Sequence, residues 1–287
     1  MPRRLFRFMI FLLLLVPLGY LFLCIYLYVQ QDKMVFSPSR ESIEESERLA
    51  AGEGFSSWRN AAGELMGWRS NAGDPDNVLL VMNGNAGTAL DRSHYGTYCR
   101  NETSNWKTFL LEYPGYGSRE GRPSEESLTD AACEAVDLLA VAPGRRIWLL
   151  GESLGSGTAS ATVRKRPDKI AGVILVTPFN SLVAAAAGHY PWMPVTLLLK
   201  TRFASDKNLV GYPGPVAFFL GANDRTVPAV LGQELYDGYG GRKRLWIDPE
   251  GTHNVSALVS YEWPELVQWL EAESQKEPHA KDRKDGT

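Results

Sequence analysis

The chain has 287 residues, with 30 lysines and arginines set against 33 aspartates and glutamates, for a formal net charge of −3. No basic block extends beyond short clusters, which leaves no electrostatic footprint for nucleic acid. Four histidines and three cysteines show no metal-ligand spacing, and the two cysteines beyond the apolar N-terminus are too few for a disulfide-stapled domain.

The first predicted element is a helix. Residues 8–29 carry no charge, and at about 1.5 Å per residue such a run crosses a bilayer core of about 30 Å. Arg3, Arg4 and Arg7 precede it, while only Asp32 and Lys33 follow closely. The positive-inside rule therefore puts the N-terminus in the cytoplasm and everything after residue 30 outside it, in a periplasm if the source is bacterial. A cleaved signal peptide would have a shorter apolar region and a small-x-small cleavage site, which residues 26–31 lack, so residues 1–30 are expected to be a retained signal-anchor. Bulky Leu23 argues against a lipidated Cys24, which reads as a lipid-facing or packing residue. Residues 31–57, polar and rich in serine and glutamate in their later part, read as a juxtamembrane connection.

From residue 58 to 274 short apolar runs alternate with helical stretches. Strands are predicted at 78–82, 108–112, 147–150, 172–176, 216–220 and 244–247, and helices at 88–100, 124–140, 153–166, 230–238 and 262–274. Apolar runs this short suit strands covered on both faces, which implies a mostly parallel, doubly wound α/β sheet. Cys99 and Cys133 fall in helices expected on opposite faces of that sheet, which argues against their pairing. Residues 180–206 break the alternation and look like an inserted helical cap. Residues 275–287 are charged and are expected to be a disordered tail.

The segment Gly151-Glu152-Ser153-Leu154-Gly155 joins an apolar strand to an alanine-rich helix, the setting of a nucleophile elbow. A serine hydroxyl needs a base to take its proton. His279 lies in the tail, His94 in an early helix and His189 in the cap, so His253, after the last strand, is the candidate. Asp224, after the penultimate strand, completes the order Ser, Asp, His and would fix the imidazole tautomer. Asp248 is closer to His253 in sequence but lies one strand too late. Backbone N–H groups of Leu154 and of Asn85, with Ala86 as the alternative, are candidate oxyanion donors. In the cap, Tyr190, Trp192, Met193 and Leu197 are candidates to line an apolar substrate pocket, the plainer alternative being that they pack on the core.

These motifs occur in a recognisable order. Asn83-Gly84-Asn85-Ala86-Gly87, Glu112-Tyr113-Pro114-Gly115-Tyr116-Gly117, Gly121-Arg122-Pro123-Ser124, the serine elbow, Thr177-Pro178-Phe179, Tyr190-Pro191-Trp192 and the Asp224 and His253 loops follow one another. Over residues 30–272 the chain resembles small single-pass membrane α/β-hydrolases of the bud-emergence-suppressor type. It departs from their usual pattern in having Asn83 where His is common and Glu112 where Asp is common. The resemblance implies an α/β-hydrolase fold and a Ser153–Asp224–His253 triad that cleaves carboxylic esters or thioesters of acyl or lipid substrates through an acyl-enzyme, with no cofactor and no metal. The partners expected are thus a small-molecule or lipid acyl substrate and the membrane. Amide or peptide hydrolysis on the same triad, and a catalytically silent membrane scaffold, are the alternatives.

Overall fold

The computed structural model describes residues 3–100 and 105–276. The predicted tail, from residue 277 onward, lies outside the described residues. A single long helix, α1 (Arg3–Val35), leads into a two-residue strand β1 (Ser37–Pro38), helix α2 (Ile43–Gly52) and strands β2 (Phe55–Arg59), β3 (Leu65–Ser70) and β4 (Asn77–Met82). Strand β5 (Ala86–Gly87), helix α3 (His94–Tyr98), β6 (Lys107–Leu111), α4 (Glu125–Leu139), β7 (Arg146–Glu152), α5 (Leu154–Lys165) and β8 (Ile170–Val176) follow. Helices α6 (Leu182–His189), α7 (Val195–Leu198) and α8 (Ser205–Asn208) form the cap region, and β9 (Val216–Gly221), α9 (Ala229–Gly238), β10 (Lys243–Asp248) and α10 (Ser256–Ser274) complete the body.

Eight strands make one sheet in the order β10-β9-β8-β7-β4-β6-β3-β2, parallel except where β3 pairs with β6 and with β2. Because side chains alternate across a strand, a sheet covered on both sides buries both sets. In β4, Val78, Leu80 and Met82 face one core with α4 and α5, whereas Leu79 and Val81 face a second with α3 and α10. The second core is aromatic: Trp106 stacks on Trp148 and Phe219 on Trp246, each pair with ring centroids 4.8 Å apart. Cys99 packs in that second core, and Cys133 lies on α4, against the first.

Three segments differ from their sequence expectation. Residues 31–57 are not a bare connection, because α1 runs on to Val35 and α2 and β2 pack into the body. Ser42 caps α2 by accepting the Glu45 N–H at 3.2 Å, with Glu44 and Glu45 in its positive first turn. The predicted helix over 88–100 divides into a 3-10 turn, Ala89–Arg92, and short α3. There the Asp91 carboxylate accepts the Thr88 N–H at 2.8 Å, a local bond of the kind that favours a cap over continued helix. Edge strand β2 and its neighbour β3 went unpredicted, since Ser56, Ser57 and Gly67 interrupt their apolar pattern.

α1 is the one helix among the described residues long and apolar enough to cross a membrane, with its apolar window at Leu13–Val35 and a mean hydropathy of 2.0. Its apolar side chains from Leu13 to Phe22 are exposed, whereas Cys24 and Gln31 are buried. A soluble environment would leave that surface uncovered.

Truncating Leu80, fully buried at the centre of the sheet, should leave a cavity that costs about 2–5 kcal/mol. Leu197→Ala, at a position 81% exposed, should change stability by less than about 0.5 kcal/mol. Denaturant unfolding of the two variants side by side checks both figures.

Candidate active site

Parallel strands deliver their connecting loops to one edge, and the candidate residues lie on the loops at the carboxyl ends of β4, β7, β9 and β10. Ser153 is the single residue between β7 and α5. Its backbone has φ 51° and ψ −116°, a left-handed conformation costly for a residue with a side chain. Its N–H donates to the Val176 carbonyl of β8 at 2.9 Å, which fastens the turn to the sheet. The flanking glycines are demanded by space. A Cβ at Gly151 would stand 2.3 Å from the Gly155 carbonyl oxygen, and one at Gly155 would stand 2.2 Å from that of Met82. The start of α5 therefore sits directly against the end of β4.

That contact positions two features together. Leu154 opens α5, so its N–H has no carbonyl one turn back to bond and faces the site with the positive end of the helix dipole. The loop after β4 passes Ser153, with the direction in which Gly84 would carry a Cβ ending 3.7 Å from the Ser153 Cβ. Its backbone is held from behind: the Tyr113 hydroxyl donates to the Asn83 carbonyl at 3.0 Å, and the Tyr116 hydroxyl to that of Asn85 at 2.7 Å. The Ser37 N–H, just past α1, donates to the same Asn85 carbonyl at 2.8 Å, and β1 pairs in parallel with β5. Asn85 lines the cavity beside Ser153 and Leu154.

The acid and base loops lie two and three strands from Ser153. His253 Nδ1 is 2.7 Å from Asp224 Oδ2, and Asp224 Oδ1 accepts the Thr226 and Val227 N–H groups at 2.8 and 2.9 Å. The structure thus pairs His253 with Asp224. Asp248 instead accepts the Glu250 N–H at 3.1 Å within its own turn. With Nδ1 taken by the carboxylate, Nε2 is the imidazole nitrogen left for proton transfer. The Asp224 side chain is 1% exposed and that of His253 33%, so the carboxylate is buried while the ring is partly open.

Two carboxylates that sequence reasoning did not assign support this edge. Glu152, preceding the nucleophile, accepts the Tyr95 hydroxyl at 2.6 Å and pairs with the Arg92 guanidinium. Glu112 is fully buried, accepting the Trp68 indole N–H at 3.0 Å and the Ala89 N–H at 3.1 Å. Burial raises its carboxyl to about 7, against the opposing pull of those two donors.

Ser153, Leu154 and Asn85 border a mostly apolar cavity of about 250 Å³. Of the four cap candidates, Tyr190 and Met193 line it. Trp192 and Leu197 do not, standing 50% and 81% exposed. The turn in which Met193 N–H donates to the Tyr190 carbonyl at 3.0 Å aims Trp192 the other way. His189, set aside on sequence as a cap residue, also lines the cavity and ties the cap to the acid loop, its Nε2 being 2.8 Å from the Thr226 carbonyl oxygen. The opposite wall comes from α1 through Leu27, Tyr28, Gln31, Met34 and Val35. Sequence reasoning missed these five: they fall on one stripe of the helix, at 27, 28, 31, 34 and 35, but the helix is apolar all round and its sequence does not set that stripe apart.

A family model described as "Serine aminopeptidase, S33" matches residues 73–211, a stretch that includes Ser153 but ends before Asp224 and His253. An uncharacterized protein of Mycobacterium tuberculosis is 32% identical over 241 residues, covering 82% of this chain and 84% of that protein. The lysophosphatidylserine lipase ABHD12 of Danio rerio is 28% identical over 198 residues, which is 63% of this chain and 52% of the relative, so the chain spans about half the length of that lipase. Among solved structures, the Pyrococcus furiosus esterase PF2001 is similar with a TM-score of 0.61 at 14% identity, covering 84% of this chain and 98% of that one. Est1E of Butyrivibrio proteoclasticus, with ferulic acid bound, is similar with a TM-score of 0.57 at 18% identity, covering 69% and 92%.

A buried acid whose folded value lies above its ordinary 4.5 stabilises the fold fully only below that ordinary value. As pH rises towards about 7, the unfolded chain gives up this proton while the folded chain keeps it, so stability falls, by about 3 kcal/mol over the window. The difference in unfolding free energy between the parent chain and Glu112→Gln, followed from pH 4 to 8 in detergent, should change by that amount and level off above the upper value. A pH-independent difference would mean that folding leaves the Glu112 carboxyl at its ordinary value.

Proposed function

Because the chain belongs to the α/β-hydrolase superfamily and is a serine hydrolase of the esterase/lipase type, we propose that Ser153, His253 and Asp224 hydrolyse acyl esters or thioesters through an acyl-enzyme. His253 Nε2 takes the Ser153 Oγ proton as Oγ bonds to the substrate carbonyl carbon, and the carbonyl electron pair moves onto oxygen. The N–H groups of Leu154 and Asn85 stabilise that oxyanion. As it collapses, the alcohol or thiol leaves with the proton held by His253. Water then adds to the acyl-enzyme in the same way, releasing the acid and restoring Ser153. Asp224 holds the imidazole tautomer and offsets the charge of the imidazolium.

The observation that carries this reading is that one sheet edge holds both a strained serine at a helix start and an imidazole whose Nδ1 is fixed by a buried carboxylate. The apolar cavity beside Ser153, together with the activity in the name of the lysophosphatidylserine lipase relatives, supports a lipid acyl substrate. The apolar length of α1 supports membrane attachment through that helix, and the charge asymmetry about it supports an N-terminus in the cytoplasm with the catalytic domain on the other side. The family model's own description supports a second reading, cleavage of amides or peptides by the same residues.

A fluorophosphonate probe should label the folded chain at Ser153, and Ser153→Ala should abolish labelling and lower ester turnover by at least about 10³-fold. Labelling that persists in Ser153→Ala would sink the assignment. Matched p-nitrophenyl esters and p-nitroanilides of the same acyl groups separate the two readings, with turnover of the esters alone expected. For topology, a phosphatase reporter fused to the C-terminus should be active only if the catalytic domain is exported, and an inactive fusion that is stably expressed would reverse the orientation.

A further inference from the structure

The cavity beside Ser153 is closed on one side by the helix that carries the membrane signature. Leu27, Tyr28, Gln31, Met34 and Val35 lie on one stripe of α1 and face the cavity across from Tyr190 and Met193 of the cap. Four separate contacts fix this helix against the catalytic body. Gln31, buried although polar, donates through Nε2 to the Leu198 carbonyl at 3.2 Å and accepts the Lys200 N–H on Oε1 at 2.7 Å. The Lys200 ammonium stands 4.3 Å from the centre of the Tyr28 ring, and the Tyr20 hydroxyl donates to the Trp192 carbonyl at 2.9 Å. Beyond the helix, β1 binds the loop that carries Asn85.

Accepting that Ser153 is the nucleophile of an acyl hydrolase, we propose that the last turns of α1 form a wall of the acyl-chain site, and that the chain bound there belongs to an ester lipid drawn sideways from the bilayer that α1 spans. Continuity supports this occupant. The lining residues begin within the apolar window Leu13–Val35, and from Leu27 to Val35 the helix covers about 12 Å, so the cavity wall and the lipid-facing surface are successive stretches of one helix. The cap meets α1 as far back as Tyr20, well inside the uncharged run. Its two exposed apolar side chains, Trp192 and Leu197, are of the kind that settle into the membrane interface or below it. An acyl chain passing from leaflet to cavity therefore crosses no charged barrier among the lining residues, and its ester end arrives beside Ser153 and Leu154. Met34 is the residue on which chain length should depend, because it lines the cavity and has no backbone role in the clamp.

The full-length chain, reconstituted in phospholipid nanodiscs, tests this with p-nitrophenyl esters from acetate to palmitate and with a long-chain monoacyl lipid ester placed in the disc. Met34→Trp narrows the site and should lower the ratio of long-chain to short-chain kcat/KM by about tenfold or more, the scale set by one or two methylene groups in an apolar pocket. Met34→Ala widens it and should move the optimum to longer chains. Leu18→Trp, on the same helix but away from the cavity, should leave the profile of the parent unchanged. Fluorophosphonate labelling of every variant separates loss of fold from loss of selectivity, and if Met34→Trp is not labelled the decision rests on Met34→Ala. An unaltered chain-length profile in labelled Met34 variants would overturn the wall assignment while leaving the nucleophile intact. No labelling and no ester turnover in the parent would instead overturn the catalytic reading beneath it. Turnover of dissolved esters with none of the bilayer lipid would rule out lateral delivery.

Discussion

The close approach of α5 to the end of β4 governs the site. Gly155 lies against the Met82 and Asn83 carbonyls with no room for a side chain, and this contact forces the sharp turn in which Ser153 takes a positive φ. A strained residue persists only when its surroundings over-determine it. Here they do so through the Ser153 N–H bond to Val176, the Gly151–Gly155 contact and the bonds that hold Glu152 to Tyr95 and Arg92. One packing contact therefore sets Ser153, the Leu154 N–H and the neighbouring loop in a common frame. Asp224 and His253 need only reach that frame from the ends of later strands.

The loop that carries Asn85 depends on a more polar set of supports. Two tyrosine hydroxyls and the Ser37 N–H fix its carbonyls, and Glu112 holds the following turn through the Ala89 N–H. A carboxylate buried this deeply is costly when ionised, which is why its carboxyl is raised towards neutrality. Charge on Glu112 and order in the loop are consequently coupled. The Glu112 side chain reaches both the Trp68 indole and the Ala89 N–H, which puts a two-pronged acceptor behind the loop.

What could be read from sequence followed from how uniformly each segment is buried. Strands β4, β7, β8 and β9 are covered on both faces, and a continuous apolar run bounded by polar residues announces such a strand. The strand-to-helix turn at Ser153 and the pairing of Asp224 with His253 were legible because chain order and sheet edge constrain them. Edge strand β2 and its neighbour β3 were not, since polar residues and Gly67 interrupt their runs. In the cap, hydropathy alone ranked Trp192 and Leu197 with Tyr190 and Met193, although only the second pair faces the cavity. The Tyr190–Met193 turn and the short helix α7 decide which of them meet the cavity, and composition holds no record of either. The α1 wall was hidden for a related reason: a helix that is apolar all round has no periodic face to distinguish the side that meets protein from the side that meets lipid.

Gln31 bears on that ambiguity. A glutamine at the end of a membrane span is ordinarily explained by nearby water, and such a residue would be exposed. This one is 7% exposed and bonded on both sides of its amide to the backbone of the cap. Those bonds fix rotation about the helix axis, so that Met34 and Leu27 point to the cavity. They also fix the height of α1 relative to the catalytic body, and with it the depth at which Trp192 and Leu197 lie. A simple tether would leave rotation and height free. A helix held in both respects, whose following strand also pins the Asn85 loop, makes the orientation of α1 part of the geometry of the candidate site.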